Sequence, residues 1–200
     1  MLTEQFGQID IYLFDQLLRG RIAPGMRVLD AGCGTGRNLV YLLREAYDVF
    51  GADTSAAAVA NVQSLASRLA PALPESNFRV ESLGALSFPK EFADVVICSA
   101  VLHFAIDDDD FSKMLLGCWD ALKPGGVFFC RLASSIGLYG RAKPMGGRRY
   151  RLPDNSERYL VDEALLMALT TQLNGELLDP LKTTVVQGQR CMTTWVLRKR

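Results

Sequence analysis

One histidine, His103, occurs in the 200 residues, and there is no Cys-x-x-Cys pair. A zinc site therefore lacks its usual ligands. The five cysteines, Cys33, Cys98, Cys118, Cys130 and Cys191, are odd in number and scattered through apolar segments, the pattern of reduced thiols rather than of a disulfide framework. A thiol trio for arsenic or another metal would need the fold to gather Cys98, Cys130 and Cys191, and no metal is expected. Net charge is also missing. The 22 basic and 22 acidic side chains cancel, so no long-range field draws the chain to nucleic acid or to an anionic membrane. No apolar run reaches the roughly 18 residues of a membrane span, and the opening MLTEQFGQID has neither a basic segment nor an apolar core. No targeting or spanning segment is expected, and the cytoplasm is the expected location.

What is present begins with an apolar fraction of 49%, ample for one core, which suits a single domain over residues 1–200. The most informative run is VLDAGCGTGRN, Val28 to Asn38. It follows a short apolar strand, places Asp30 at the carboxyl edge of that strand, and sets Gly32, Gly34 and Gly36 where backbone must turn sharply and approach a ligand. The spacing is Gly-x-Gly-x-Gly. The dinucleotide fingerprint has its third glycine one residue later, which disfavours a pyrophosphate cradle and a nucleotide-dependent oxidoreductase. The next apolar strand pattern, YDVFGA, ends at Asp53, where a carboxylate can accept two hydrogen bonds from a ribose diol.

Strand and helix patterns alternate along the chain. A front helix lies within residues 1–20, with its apolar stripe over Ile9 to Leu18. Strands are expected at Met26 to Ala31, Asp48 to Ala52, Phe78 to Glu81, Asp94 to Ser99 and Val127 to Leu132. The helices between them run from Gly36 to Glu45, Ser55 to Leu69 and Asp108 to Leu122. Ser55 and the Asp107 to Asp110 run read as helix caps. This is the order of a parallel sheet covered by helices. Residues 134–158 break it: six basic residues against two acidic ones between Arg141 and Arg158, with glycines and prolines, read as an inserted mobile loop or hairpin over the sheet edge. A helix at Asp162 to Leu173 and a tight hairpin about Gly188 close the chain.

The glycine loop, Asp53-Thr54-Ser55, the strand Asp94 to Ser99, and Leu122-Lys123-Pro124-Gly125-Gly126 before the next strand resemble the ordered motifs of class I S-adenosylmethionine-dependent methyltransferases. The tail TTVVQGQRCMTTWVLRK and the small size are similar to tellurite-resistance-type and other small-molecule methyltransferases. The resemblance implies an α/β, Rossmann-like doubly wound sheet, mostly parallel and seven-stranded, with a carboxyl-terminal antiparallel hairpin and helices on both faces. It implies S-adenosyl-L-methionine as cofactor, S-adenosyl-L-homocysteine as product, and direct in-line methyl transfer to a small acceptor by a monomer or homodimer.

The resemblance also distributes roles. The loop residues Gly32, Cys33, Gly34, Gly36 and Asn38, with Asp30, would hold the methionine portion. Asp53 would take the ribose hydroxyls and the Glu81-Ser82-Leu83 turn, through Ser82 or Leu83, the adenine edge, with Thr54 and Ser99 also among the expected cofactor-binding residues. Ser82 is a departure, since relatives place aspartate there. His103, just past the strand Asp94 to Ser99, would either take a proton from the acceptor as a near-neutral base or shape the pocket. Arg148, Arg149 and Arg151 would close over an anionic substrate with forked donors, or form a solvated loop. The segment lacks the Asn/Asp-Pro-Pro-Tyr/Phe motif of base and glutamine methylases, which makes nucleic acid an unexpected substrate. A protein that binds the cofactor without catalysis is the alternative to an enzyme.

Overall fold

The computed structural model describes residues 1–138 and 140–200. Two helices, α1 (Leu2–Phe6) and α2 (Ile11–Leu18), precede a βαβ series: β1 (Arg27–Ala31), α3 (Val40–Arg44), β2 (Asp48–Asp53), α4 (Ala56–Leu69) and β3 (Phe78–Val80). After it come β4 (Ala93–Ser99), α5 (Asp108–Ala121) and β5 (Leu122–Ala133). Three short strands follow, β6 (Lys143–Gly146), β7 (Arg149–Arg151) and β8 (Glu157–Tyr159). The chain ends with α6 (Glu163–Gln172), β9 (Gly175–Leu177), β10 (Lys182–Val186) and β11 (Arg190–Lys199).

The main sheet runs β10-β11-β5-β4-β1-β2-β3, with β9 also paired to β11. It has seven positions across and eight strands, because β9 and β10 share the outer edge of β11: Thr184 faces Met192 near one end and Leu177 faces Leu197 near the other. Five strands are parallel, and β11 returns antiparallel along β5. β1 lies between β2 and β4, so the strand order reverses there and a crevice opens beyond the carboxyl ends of β1 and β4.

Alternation along the buried strands fills both faces. Val28, Val95, Ile97 and Phe129 pack on one side with α4 residues Val59 and Val62. Leu29, Val96, Phe128 and Trp195 pack on the other against Leu115 and Trp119 of α5. Each such side chain contributes about 1.5–3 kcal/mol by leaving water. The expected caps form: Ser55 Oγ accepts from Ala58 N–H at 3.2 Å and Asp107 Oδ1 from Asp110 N–H at 2.8 Å.

The structure corrects one helix boundary and decides two alternatives that the sequence left open. α3 is one turn long, since residues from Gly36 to Leu39 are spent in turns that leave the glycine loop. Of the loop or hairpin expected over residues 134–158, the described residues take the hairpin form. They build most of a second, three-stranded sheet, β6-β7-β8, pinned by Leu138, Leu152 and Leu160 around Cys191. Finally, Cys191 lies in that cluster, apart from Cys98 and Cys130. The thiol facing those two strands is Cys118 of α5; the hydrogen bond with Cys98 and then burial push the Cys118 thiol well up, and burial first does so for Cys130.

Candidate active site

The crevice is a cavity of about 1060 Å³. Its floor is the turn after β1. Gly32 has φ +85°, and a Cβ there would collide with the Val101 side chain, so only glycine lets the chain bend under the segment after β4. The N–H groups of Gly32 and Cys33 both donate to the Ala52 carbonyl, at 2.8 and 3.0 Å, which locks the turn to β2. At Gly34 (φ +52°) no heavy atom lies within 4 Å of a Cβ position, and the backbone faces open cavity. Gly34 N–H donates to Asp53 Oδ2 at 2.9 Å, while Asp53 Oδ1 accepts from Ser55 N–H at 2.9 Å. The end of β2 is thereby tied to the glycine loop and to the start of α4.

Thr54, Ser82 and Leu83 extend the wall from Asp53, and Gly84 and Ala85 continue it. That wall is set by α5: a Cβ on Gly117 would strike the Leu83 carbonyl. A glycine in a helix interior costs about 1 kcal/mol against alanine, and here it permits the close approach that positions the Ser82–Leu83 turn. On the opposite side stand Asn38, Arg37, Ser99 and Arg131. Arg37 Nη2 donates to Ser99 Oγ at 3.1 Å, and Asn38 Oδ1 accepts from Asp10 N–H at 3.0 Å.

Gly32, Cys33, Gly34, Asn38 and Asp53 thus line the cavity, as do Thr54, Ser82, Leu83, Ser99 and His103. Asp30 and Gly36 do not. Gly36 faces α4, where a Cβ would press on Leu65 and Val62. Asp30 is buried beneath the loop with Oδ2 unpartnered, and burial, with Cys98 next, pushes its carboxyl up to about 7.

His103 does line the cavity, but its environment is not that of a near-neutral base. Burial first, then the positive charges of Arg158 and Arg131, bring its pKa down to about 3. Its Nδ1 accepts the Ala133 N–H at 3.2 Å. The neutral ring then carries its proton on Nε2 and is a hydrogen-bond donor.

The three arginines of β6–β7 are placed elsewhere than expected. Arg148 pairs with Asp162 at 2.9 Å, Arg151 with Glu157 at 2.7 Å, and Arg149 donates to the Ala105 carbonyl at 3.1 Å. None lines the cavity, because carboxylates of β8 and the α6 cap compete successfully for them. The arginines that do line it are Arg37, Arg131, Arg158 and Arg190. Of these, only Arg37 carried a sequence signal, its place inside the glycine loop.

A family model described as a methyltransferase domain matches residues 28–126. A ubiquinone biosynthesis O-methyltransferase of Chelativorans sp. is 31% identical over 173 residues, covering 78% of this chain and 64% of that relative. The chain thus spans less than two thirds of that relative's length. Among solved structures, an S-adenosylmethionine-dependent methyltransferase of Methanosarcina mazei superposes with TM-score 0.72 at 20% identity, over 92% of this chain and 96% of that one. A 1,6-didemethyltoxoflavin N1-methyltransferase of Burkholderia thailandensis gives TM-score 0.72 at 18% identity, over 99% and 80%. No helix among the described residues is long and apolar enough to cross a membrane. With the motif order, the switch-point crevice and these likenesses in agreement, the chain belongs to the class I S-adenosylmethionine-dependent methyltransferase superfamily.

Proposed function

We propose that residues 1–200 act as one methyltransferase domain that moves the methyl group of S-adenosylmethionine to a small-molecule acceptor by in-line displacement. The observation that carries this reading is the Asp53 carboxylate, held by Gly34 N–H at 2.9 Å beside the open face of the glycine loop. Each carboxylate oxygen retains a lone pair after its backbone bond, which is what a ribose diol requires. The other residues fit the cofactor as well. Arg37, which lines the cavity, suits the methionine carboxylate. Ser82 offers a neutral hydroxyl, with no hydrogen bond to its own short helix, at the adenine end. The cavity of about 1060 Å³ exceeds the common range of ligand pockets, roughly 300–1,000 Å³, so an acceptor has room beside the cofactor.

The cofactor would supply an electrophilic methyl on a sulfonium whose charge vanishes as the methyl leaves. The protein's task is then alignment and exclusion of water. His103 Nε2–H serves as a donor that orients the acceptor, and a ring with pKa about 3 takes no proton near neutrality. Small acceptors are also named for the relative in ubiquinone biosynthesis and for the toxoflavin-type neighbour. Calorimetric titration with S-adenosylhomocysteine and, in parallel, NAD tests the cofactor. Release of S-adenosylhomocysteine across hydroxyl, thiol and amine acceptors then tests the reaction. Binding of NAD alone would overturn the reading, and cofactor binding with no turnover on any acceptor would leave a binding protein.

A further inference from the structure

Five cationic side chains line the cavity: Arg37, Lys113, Arg131, Arg158 and Arg190. Three have counter-charges. Lys113 pairs with Asp109 at 2.6 Å, Arg131 with Asp10 at 3.0 Å, and Arg37 lies 3.8 Å from the same Asp10 carboxylate. Among the described residues, Arg158 and Arg190 form no ion pair. They come from two different elements, β8 and the start of β11, and both line the cavity and act on one carboxylate, Asp154. After the hydrogen bonds of Ser156, both guanidinium groups help to keep that carboxylate charged. Asp154 Oδ1 already accepts from the N–H and hydroxyl of Ser156. One acidic group therefore stands against two guanidinium groups, and a net positive charge remains directed at the cavity.

Apolar surface adjoins Arg158. Phe104 is 55% exposed, and the Arg158 guanidinium lies over its ring at 4.8 Å. Leu152, Val186 and Met192 also line the cavity. The contact with Phe104 and the bond from Arg158 Nη1 to the Glu157 carbonyl at 2.7 Å fix the orientation of a fork whose remaining N–H donors have no partner among the described residues. Such a fork matches an oxyanion in two-point geometry, and a fixed fork loses little entropy on binding.

We infer that the methyl acceptor is an apolar, planar acid whose oxyanion is gripped by Arg158 and Arg190 while its body lies against Phe104. The inference rests on the methyltransferase reading for its acceptor role, and it moves anion recognition from Arg148, Arg149 and Arg151 to two residues the sequence does not single out. The small sheet and the carboxyl-terminal hairpin then select the substrate, and the βαβ core holds the cofactor.

Calorimetry on the protein saturated with S-adenosylhomocysteine tests this with benzoate against benzamide, and with phenyl phosphate against phenol. Each anion is expected to bind at least about tenfold more tightly than its neutral counterpart. A larger gain for benzoate identifies a carboxylate, and a larger gain for phenyl phosphate identifies a phosphoryl group. In the double variant R158Q/R190Q the preference disappears, while S-adenosylhomocysteine affinity stays within about twofold and shows that the fold is intact. R151Q, on the same small sheet but paired with Glu157, keeps the preference. Equal binding of acid and neutral probe, no binding of either, or a preference that survives R158Q/R190Q overturns the inference. Failure of S-adenosylhomocysteine to bind at the outset would instead strike the methyltransferase reading.

Discussion

Asp10 accepts a hydrogen bond from Arg131 Nη1 at 3.0 Å, a contact that joins the first turn of α2 to β5 across 121 residues. The carboxylate is buried and also caps α2 by accepting Tyr12 N–H at 3.0 Å. Its backbone N–H in turn donates to Asn38 of the glycine loop. One residue thus couples the front helix, the glycine loop and β5. Asp10→Ala leaves the partly buried Arg131 guanidinium without this counter-charge and α2 without its cap. It is expected to lower stability by about 3–5 kcal/mol, the range for breaking a buried pair, and to expose residues 1–20 to protease. Chemical denaturation and limited proteolysis check both, and a loss under about 1 kcal/mol would show that α2 is held by its apolar stripe alone.

Asp53→Ala removes the partner of Gly34 N–H and of the proposed ribose. S-adenosylhomocysteine binding should weaken by about 1.5–3 kcal/mol, read by calorimetry. Unchanged affinity would remove Asp53 from the ribose site.

Gly117→Ala would drive a methyl group into the Leu83 carbonyl. The helix or the Ser82–Leu83 turn must shift, at a cost of about 1–3 kcal/mol. A fall in cofactor affinity of about tenfold is expected, beside the loss of stability. Normal binding with normal stability would mean that α5 yields without moving the Ser82–Leu83 turn.

His103 and Asp30 should shape stability against pH in opposite directions. The His103 pKa falls from 6.5 to about 3 on folding. Below 6.5 the unfolded chain takes up a proton that the folded ring refuses, so this contribution is complete above 6.5 and is lost as pH falls toward 3. His103→Asn, which keeps an acceptor near Ala133 N–H, should flatten the acid fall in Tm between about pH 6.5 and 4. An unchanged slope would show that other groups govern it.

The Asp30 pKa rises from 3.8 to about 7 on folding. The folded chain then holds a proton that the unfolded chain releases, so stability is lost as pH rises from about 4 through 7. Asp30→Asn should remove that loss, and its Tm should exceed the wild-type value at pH 8. A lower Tm at pH 8 with the wild-type slope would show that the carboxylate is stabilised as an anion.

The sequence by itself determined what is local or periodic. The alternation of apolar runs and helix patterns placed β1, β2, β4, β5 and the β10–β11 hairpin, because burial on both faces demands those runs. Gly32 and Gly34 were legible because their backbone conformations exclude other residues, and Asp53 because strand ends in such a sheet converge on one crevice. Only the tertiary structure decided which charges remain available. Arg148, Arg149 and Arg151 advertise themselves as a basic run, yet Glu157, Asp162 and the Ala105 carbonyl occupy them. Arg158 and Arg190 sit on β8 and β11, and only the packing of two sheets turns both toward the cavity. The basicity of His103 was likewise decided by burial and by Arg158 and Arg131. Spacing along the chain fixes where a side chain starts. Which partner neutralises it is settled by competition among groups that only folding brings within a few ångströms.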